Sequence, residues 1–371
     1  MTTRRWMTAV GALALLSNGA RLLYYAWHAR NAPSIGVLGI SFVVLICAVA
    51  GAVYWSSKDG GRWLPSIWPA LASGLLSALL AVGVSTYVER TYGWTLFVLL
   101  PFVIGLHSTL ALSRRRPITG GDAMVVSSLA LALFGGVLVA VAMEGVICLI
   151  MAAPIAFPLA WLGGAVGYAL RSRSVVQSPA MFLLLAGLTP FGATAERALH
   201  LPAEVFPVTT SIDLRASPER VWQTVLQPAK LAAPEQPLFR AGVAYPLASH
   251  IEGAGPTATR YCDFSTGKLV EPVLIWDDLH RLRFRVASNP LPMQEWTPYA
   301  RIHPPHLDGF LVSRQGEFRL EPLANGGTRL YATTWYQHHL WPAQYWKLWS
   351  DYIIHQVHQM VLRNIAQRAT A

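Results

Sequence analysis

The sequence predicts a two-part fold: an α-helical transmembrane bundle of six or seven spans, followed by an α+β domain with an antiparallel sheet and a long C-terminal helix. Three observations predict it. Residues 1–200 carry 13 Lys+Arg and 5 Asp+Glu, whereas residues 201–371 carry 16 and 14, so the first part is too apolar for water and the second has ordinary globular composition. Near residue 207 the pattern changes from continuous apolar runs to period-two alternation. The chain then closes on a segment with helical periodicity. The boundaries expected are 1–200 for the membrane part and 205–371 for the second domain.

A bilayer crossing needs about 20 apolar residues. Six runs qualify, near 6–27, 34–55, 66–88, 93–112, 123–143 and 146–170, with a shorter seventh near 177–194. Turn or charge signals separate them, such as Asn31-Ala32-Pro33 and Arg114-Arg115-Arg116-Pro117. Of the net charge of +10, +8 lies in the first 200 residues. With the N-terminus inside, the inner loops hold Arg4, Arg5, Lys58, Arg62, Arg114, Arg115, Arg116, Arg171 and Arg173, against Arg30 and Arg90 outside. The expectation is an integral multi-pass protein with a cytoplasmic N-terminus, in a bacterial plasma membrane. The segment 177–194, though of marginal length, is expected to cross, which makes the second domain extracytoplasmic; lying in the interface or re-entering would make it cytoplasmic. No basic, aromatic-interleaved stripe argues for nucleic acid. Cys47, Cys148 and Cys262 form neither a disulfide framework nor a metal spacing.

Within the spans, Glu144 is the only charge between Asp122 and Arg171. Glu144-Gly145 falls where a long apolar run must turn, so a hairpin tip explains it better than a proton site. Gly163 and Gly167 form a small-xxx-small pair suited to close helix packing.

In the second domain, Val208, Thr210, Ile212 and Leu214 alternate with polar neighbours as a first strand. Ser217 suits a helix N-cap, Pro218 the first helical position and Glu219 the positive helix end; Val221, Trp222, Val225 and Leu226 give that helix its apolar face. Strands follow at 257–264 and 268–276, joined by Ser265-Thr266-Gly267, then at 280–286, 316–321 and 328–338. Each has one apolar face, as in an antiparallel sheet covered on one side. The closing helix, 342–369, places Trp346, Trp349, Ile353, Val357 and Met360 on one stripe, with Lys347, Asp351 and His355 away from it. Asp351 and His355 then read as a surface pair.

The run Ile212-Asp213-Leu214-Arg215-Ala216-Ser217-Pro218-Glu219-Arg220-Val221-Trp222 resembles the opening of the START-like (SRPBCC) helix-grip superfamily, which includes polyketide cyclases and aromatases, lipid-transfer domains and allergen-type ligand binders. Gly327-Thr328-Arg329-Leu330, with the strand and helix after it, resembles the closing part. The resemblance covers residues 205–371. It implies an apolar cavity between a curved sheet and the last helix, but the fold hosts binders and enzymes alike.

With Thr266 and Gly267 at the turn, Phe264 faces Leu269, Cys262 faces Glu271 and Arg260 faces Val273, which makes Arg260 and Glu271 diagonal neighbours on the inner face. The pair could orient a polar ligand head, transfer a proton, or be a structural ion pair. The expected ligand-lining set is Arg260, Cys262, Phe264, Glu271, Val273, Phe284, Phe318 and Tyr336. The expected ligand is a hydrophobic small molecule or lipid, with the membrane as the other partner. A cyclase- or aromatase-like enzyme using Glu271 and Arg260 is the alternative. No cofactor, catalytic motif or metal site is expected: His338 and His339 point to opposite faces, and no acid or Cys completes a set with His355 and His358. The stretch 288–308, rich in Pro and without periodicity, reads either as a gate or membrane-touching loop or as a stiff connector.

Overall fold

Thr119 and Asp122 start the best-capped apolar helix: the Thr119 side chain accepts from the Asp122 amide at 3.2 Å, and Asp122 Oδ2 accepts from the Thr119 amide at 2.8 Å. Arg116 adds an ion pair to Asp122 at 2.8 Å. The computed structural model describes residues 71, 75, 78–79, 81–83, 85–86, 89–173, 178–199, 203–299 and 302–371. They fall into two compact units, one of residues 1–200 with 295–304, the other of 201–294 with 305–371.

In the first unit, three of the described segments are long and apolar enough to cross a membrane: Thr95–Ser113, Gly120–Ala140 and Val146–Leu170. The first begins with a π-helical turn, Thr95–Leu99, and continues as α1, Leu100–Ser113; the others are α2 and α3. A fourth helix, α4, runs Pro179–Leu199 and ends with Glu196 and Arg197, so it is not among the three. The runs at 6–27 and 34–55 lie outside the described residues, as does most of 66–88. Helix α2 starts three residues before the expected run because the Thr119–Asp122 box sets its start.

Gly163 is where α3 meets α1: a Cβ there would collide with the Phe102 carbonyl, and one on Gly105 would collide with that of Ala160. The small-residue spacing thus lets two backbones touch. Between α2 and α3 the chain turns at Val141–Gly145, with Ala142 at φ +60°. Glu144 is in that turn, as its sequence position implied. Its carboxylate is buried, however, rather than reaching outward, and accepts from the Tyr92 hydroxyl at 3.1 Å.

The first amides of α3 are satisfied from far along the chain. The Val146 N–H donates to the Trp296 carbonyl at 2.9 Å, and the Ile147 N–H to Glu295 Oε2 at 3.2 Å. Trp296 packs on Val139, Val146 and Leu149, and the Tyr299 hydroxyl donates to the Ala140 carbonyl. The second half of the 288–308 loop is therefore a helix-capping strap of the first unit.

In the second unit, Ser217 caps α5, Pro218–Leu226, accepting from the Arg220 amide, with Pro218 in the first turn. The strands are β1 Val205–Leu214, β2 Ala229–Lys230, β3 Pro246–Glu252, β4 Thr259–Phe264, β5 Gly267–Asp277, β6 Arg281–Arg285, β7 Leu311–Pro322 and β8 Thr328–His338; a short α6 spans Pro237–Arg240. They form one antiparallel sheet of eight strands in the order β1-β8-β7-β6-β5-β4-β3-β2. Extra residues at Leu274 and Arg314 bulge β5 and β7, the kind of insertion that bends a sheet. Sequence reading missed β2 and β3, because Leu247-Ala248-Ser249-His250-Ile251 shows no alternation.

The closing helix α7, Ala343–Thr370, lies along β1 and β8 and against α5. Leu214, Val221, Trp222, Phe284, Phe318, Leu330, Leu362 and Ile365 fill the space between sheet and helices. An antiparallel sheet gripping a long C-terminal helix is the helix-grip arrangement. The buried face of α7 differs from the expected stripe. It comprises Ala343, Trp346, Ser350, His358, Leu362, Ile365 and Ala369; of the expected stripe Trp346 is buried, while Trp349, Ile353, Val357 and Met360 are half-buried beside it. Ser350 and His358 are buried through polar contacts that an apolar wheel cannot register.

Candidate functional site

The β4–β5 hairpin carries the charged residues of the site. Its loop is Ser265-Thr266, so Phe264 pairs with Gly267, Cys262 with Leu269 and Arg260 with Glu271. The expected register was two residues off. A two-residue slip keeps every side chain on its face, whereas a one-residue slip would have reversed them all. Arg260 and Glu271 are consequently direct cross-strand partners, not diagonal ones, and their side chains form an ion pair.

Both are buried, at 7% and 3% exposure. The Arg260 guanidinium lies over the rings of Phe284 and Phe318, 5.2 and 5.5 Å from their centroids. Burial works against its charge, and the neighbouring Glu271 outweighs that, so Arg260 stays cationic. Burial also pushes the Glu271 carboxyl above the usual range while Arg260 draws it back. Cys262, on the same face, is buried, which raises its thiol to about 11; it is a packed thiol, not a nucleophile.

A cleft of about 20 Å³ opens beside this pair, between α5, β2, β3 and the last turns of α7. Arg260 and Phe318 line it, with Val225, Leu231, Val361 and Ile365. That volume holds about one water-sized centre. None of the described residues of 288–308 lines it, which leaves the gate reading of that loop without support at this opening.

Arg260, Cys262, Glu271, Val273, Phe284 and Phe318 are thus gathered on one buried face. Phe264 stands apart, half-buried at the hairpin end opposite Gly267. Tyr336 stands apart too. It is fully buried in a separate cluster with Phe206, Val208 and Ala343, and its hydroxyl donates to Asp351 Oδ1 at 2.7 Å. Burial and the Asp351 carboxylate push this phenol above its ordinary range.

Sequence reading missed a polar seam between α7 and the sheet. Thr210 Oγ1 lies 2.7 Å from His355 Nδ1 and 3.0 Å from His358 Nδ1, and Thr334 Oγ1 lies 2.8 Å from His358 Nε2. One hydroxyl has one proton, so Thr210 donates to one ring and accepts from the other. His355 therefore faces the sheet, and Asp351 is held by Tyr336 and Lys347 instead of His355. The available signal was Thr210 on the inner face of β1, a hydroxyl that needed a partner.

No family model matches the chain, and no curated protein matches it. Among solved structures, the chain is similar to norcoclaurine synthase of Thalictrum flavum at 11% identity, over 46% of this chain and 98% of that one, with a TM-score of 0.31. It is similar to a protein of Chromobacterium violaceum at 19% identity, over 44% and 97%, with a TM-score of 0.29. A Nitrosospira multiformis protein matches at 15% identity, over 45% and 97%, also at 0.29. The helix-grip assignment rests on the strand order and the closing helix described above.

Proposed function

We propose that residues 205–371 form a START-like domain that binds a hydrophobic ligand, a lipid or isoprenoid-like molecule, tethered to a multi-pass bundle in a bacterial plasma membrane. The observation that carries this reading is the cleft beside the buried Arg260–Glu271 pair, whose walls include Val225, Phe318, Val361 and Ile365 alongside polar groups such as Thr224, Gln227 and Asn364. At about 20 Å³ it takes a ligand's leading group only, so a larger cargo enters by displacing α7 from the sheet. The tether raises the local concentration of membrane-dissolved ligand at that opening.

Three apolar helices, with Met124, Ile150, Leu162, Leu183 and Phe191 exposed on the first unit, support the membrane setting. The distribution of basic residues supports a cytoplasmic N-terminus, and a crossing by α4 would put the second domain outside the cytoplasm. The partners are then a lipid-like molecule and the bilayer, with no nucleic acid. Mass spectrometry of the full chain purified in mild detergent tests the reading: a stoichiometric co-purifying lipid is expected, and a ligand-free protein that takes up no lipid from vesicles overturns it.

A second reading, a cyclase- or aromatase-like enzyme, is favoured by one observation: Glu271 and Arg260 face the interior. It requires Glu271→Gln to abolish turnover while binding survives. Their direct mutual pairing favours an orienting or structural role over proton transfer.

A further inference from the structure

The charges around the cleft do not balance. Among the described residues, Arg260 and Arg368 are the charged ones that line it, and no carboxylate does. Glu271 neutralises Arg260 from behind. Arg368, in the last turn of α7, has Gln227 as its one hydrogen-bond partner among the described residues, with Nη2 donating to Gln227 Oε1 at 3.3 Å. Its Nη1 is buried and meets no acceptor. The dipole of α7 favours a cation at this end but supplies no acceptor to that nitrogen. A buried, unsatisfied N–H on a guanidinium beside an open cleft is an incomplete hydrogen-bond arrangement.

We propose that this cleft receives the carboxylate head of an anionic amphiphile, with Arg368 as its recognition residue. The inference rests on the cargo reading above and names the chemical class of that cargo. A carboxylate oxygen is the charged acceptor that Nη1 lacks, and a guanidinium binds it through a charge-assisted hydrogen bond. Arg260 is already neutralised by Glu271, so Arg368 carries the unmatched charge, and Val225, Val361 and Ile365 offer apolar surface to the first methylenes of the tail.

Isothermal titration of the full chain in nanodiscs of neutral phosphatidylcholine, with empty nanodiscs subtracted, tests this using octanoate, octan-1-ol and inorganic phosphate. Octanoate is expected to bind about tenfold or more tighter than octan-1-ol, in line with a charge-assisted hydrogen bond. Arg368→Gln should remove that advantage and leave octan-1-ol unchanged, and Arg368→Lys should keep part of it. Equal binding of octanoate and octan-1-ol overturns the anionic head while the cargo reading stands. Phosphate binding without octanoate binding shows a free-anion site and overturns the amphiphile. Binding of none of the three overturns both readings.

Discussion

Arg260 stands directly across the β4–β5 ladder from Glu271, and the two form an ion pair inside a wall of phenylalanine. Such a pair contributes little net stability over an apolar replacement, but losing one partner leaves a bare charge in the core.

Glu271→Leu should therefore destabilise the second unit by about 3–5 kcal/mol, and Arg260→Met by a similar amount, whereas the double variant should cost markedly less than the sum. Urea unfolding followed by tryptophan fluorescence reads this cycle. Additive losses would show that the pair does not act as a unit.

Acid should loosen the grip of α7. Burial, then the neighbouring His355, lowers His358 from 6.5 to about 4 in the folded state. A depressed histidine contributes stability that is fully present above about pH 6.5 and is lost as pH falls toward 4, by about 3 kcal/mol for this one group. His338, also lowered by burial, adds in the same direction. Denaturant midpoints from pH 7 to pH 4 should fall, and His358→Gln should flatten the slope.

Ser217→Ala removes the side-chain acceptor at the start of α5. It should cost about 1 kcal/mol. Ser217→Asp should restore the loss, since an acid at the positive helix end also caps.

Gly163→Val forces a branched side chain against the Phe102 carbonyl. Overpacking of this kind costs about 1–3 kcal/mol. The purified protein should lose thermal stability in detergent and broaden in size-exclusion chromatography, while Gly136→Val, where a Cβ meets no atom of the described residues within 4 Å, should not.

The sheet was legible wherever strands alternate strictly. β8 was read with its bounds, and Ser217-Pro218-Glu219 marked α5, because these are local signals. β2 and β3 were not legible, since they are short or irregular and held mainly by their neighbours. The facing of Arg260 and Glu271 followed from alternation alone, although the turn position was misread. The orientation of α7 was not legible. Its buried face includes Ser350 and His358, and the hydroxyls that receive His358 belong to strands distant in sequence. The separation of Tyr336 from the Arg260 group depends on where along β8 the helix crosses, which no single strand records.

The strap at Glu295–Pro304 makes the two halves poor candidates for dissection. A fragment beginning at residue 205 would carry Glu295 and Trp296 with nothing to clasp, and a helical fragment ending at 200 would leave the Val146 and Ile147 amides without those acceptors. Synthesis order matters as well. The α2–α3 hairpin leaves the ribosome about 150 residues before its cap does, so this corner of the bundle stays unfinished until much of the sheet has been made. Neither part is a portable module: a graft of the gripping domain carries the clasp without its helix, and the helices taken alone need a replacement for it.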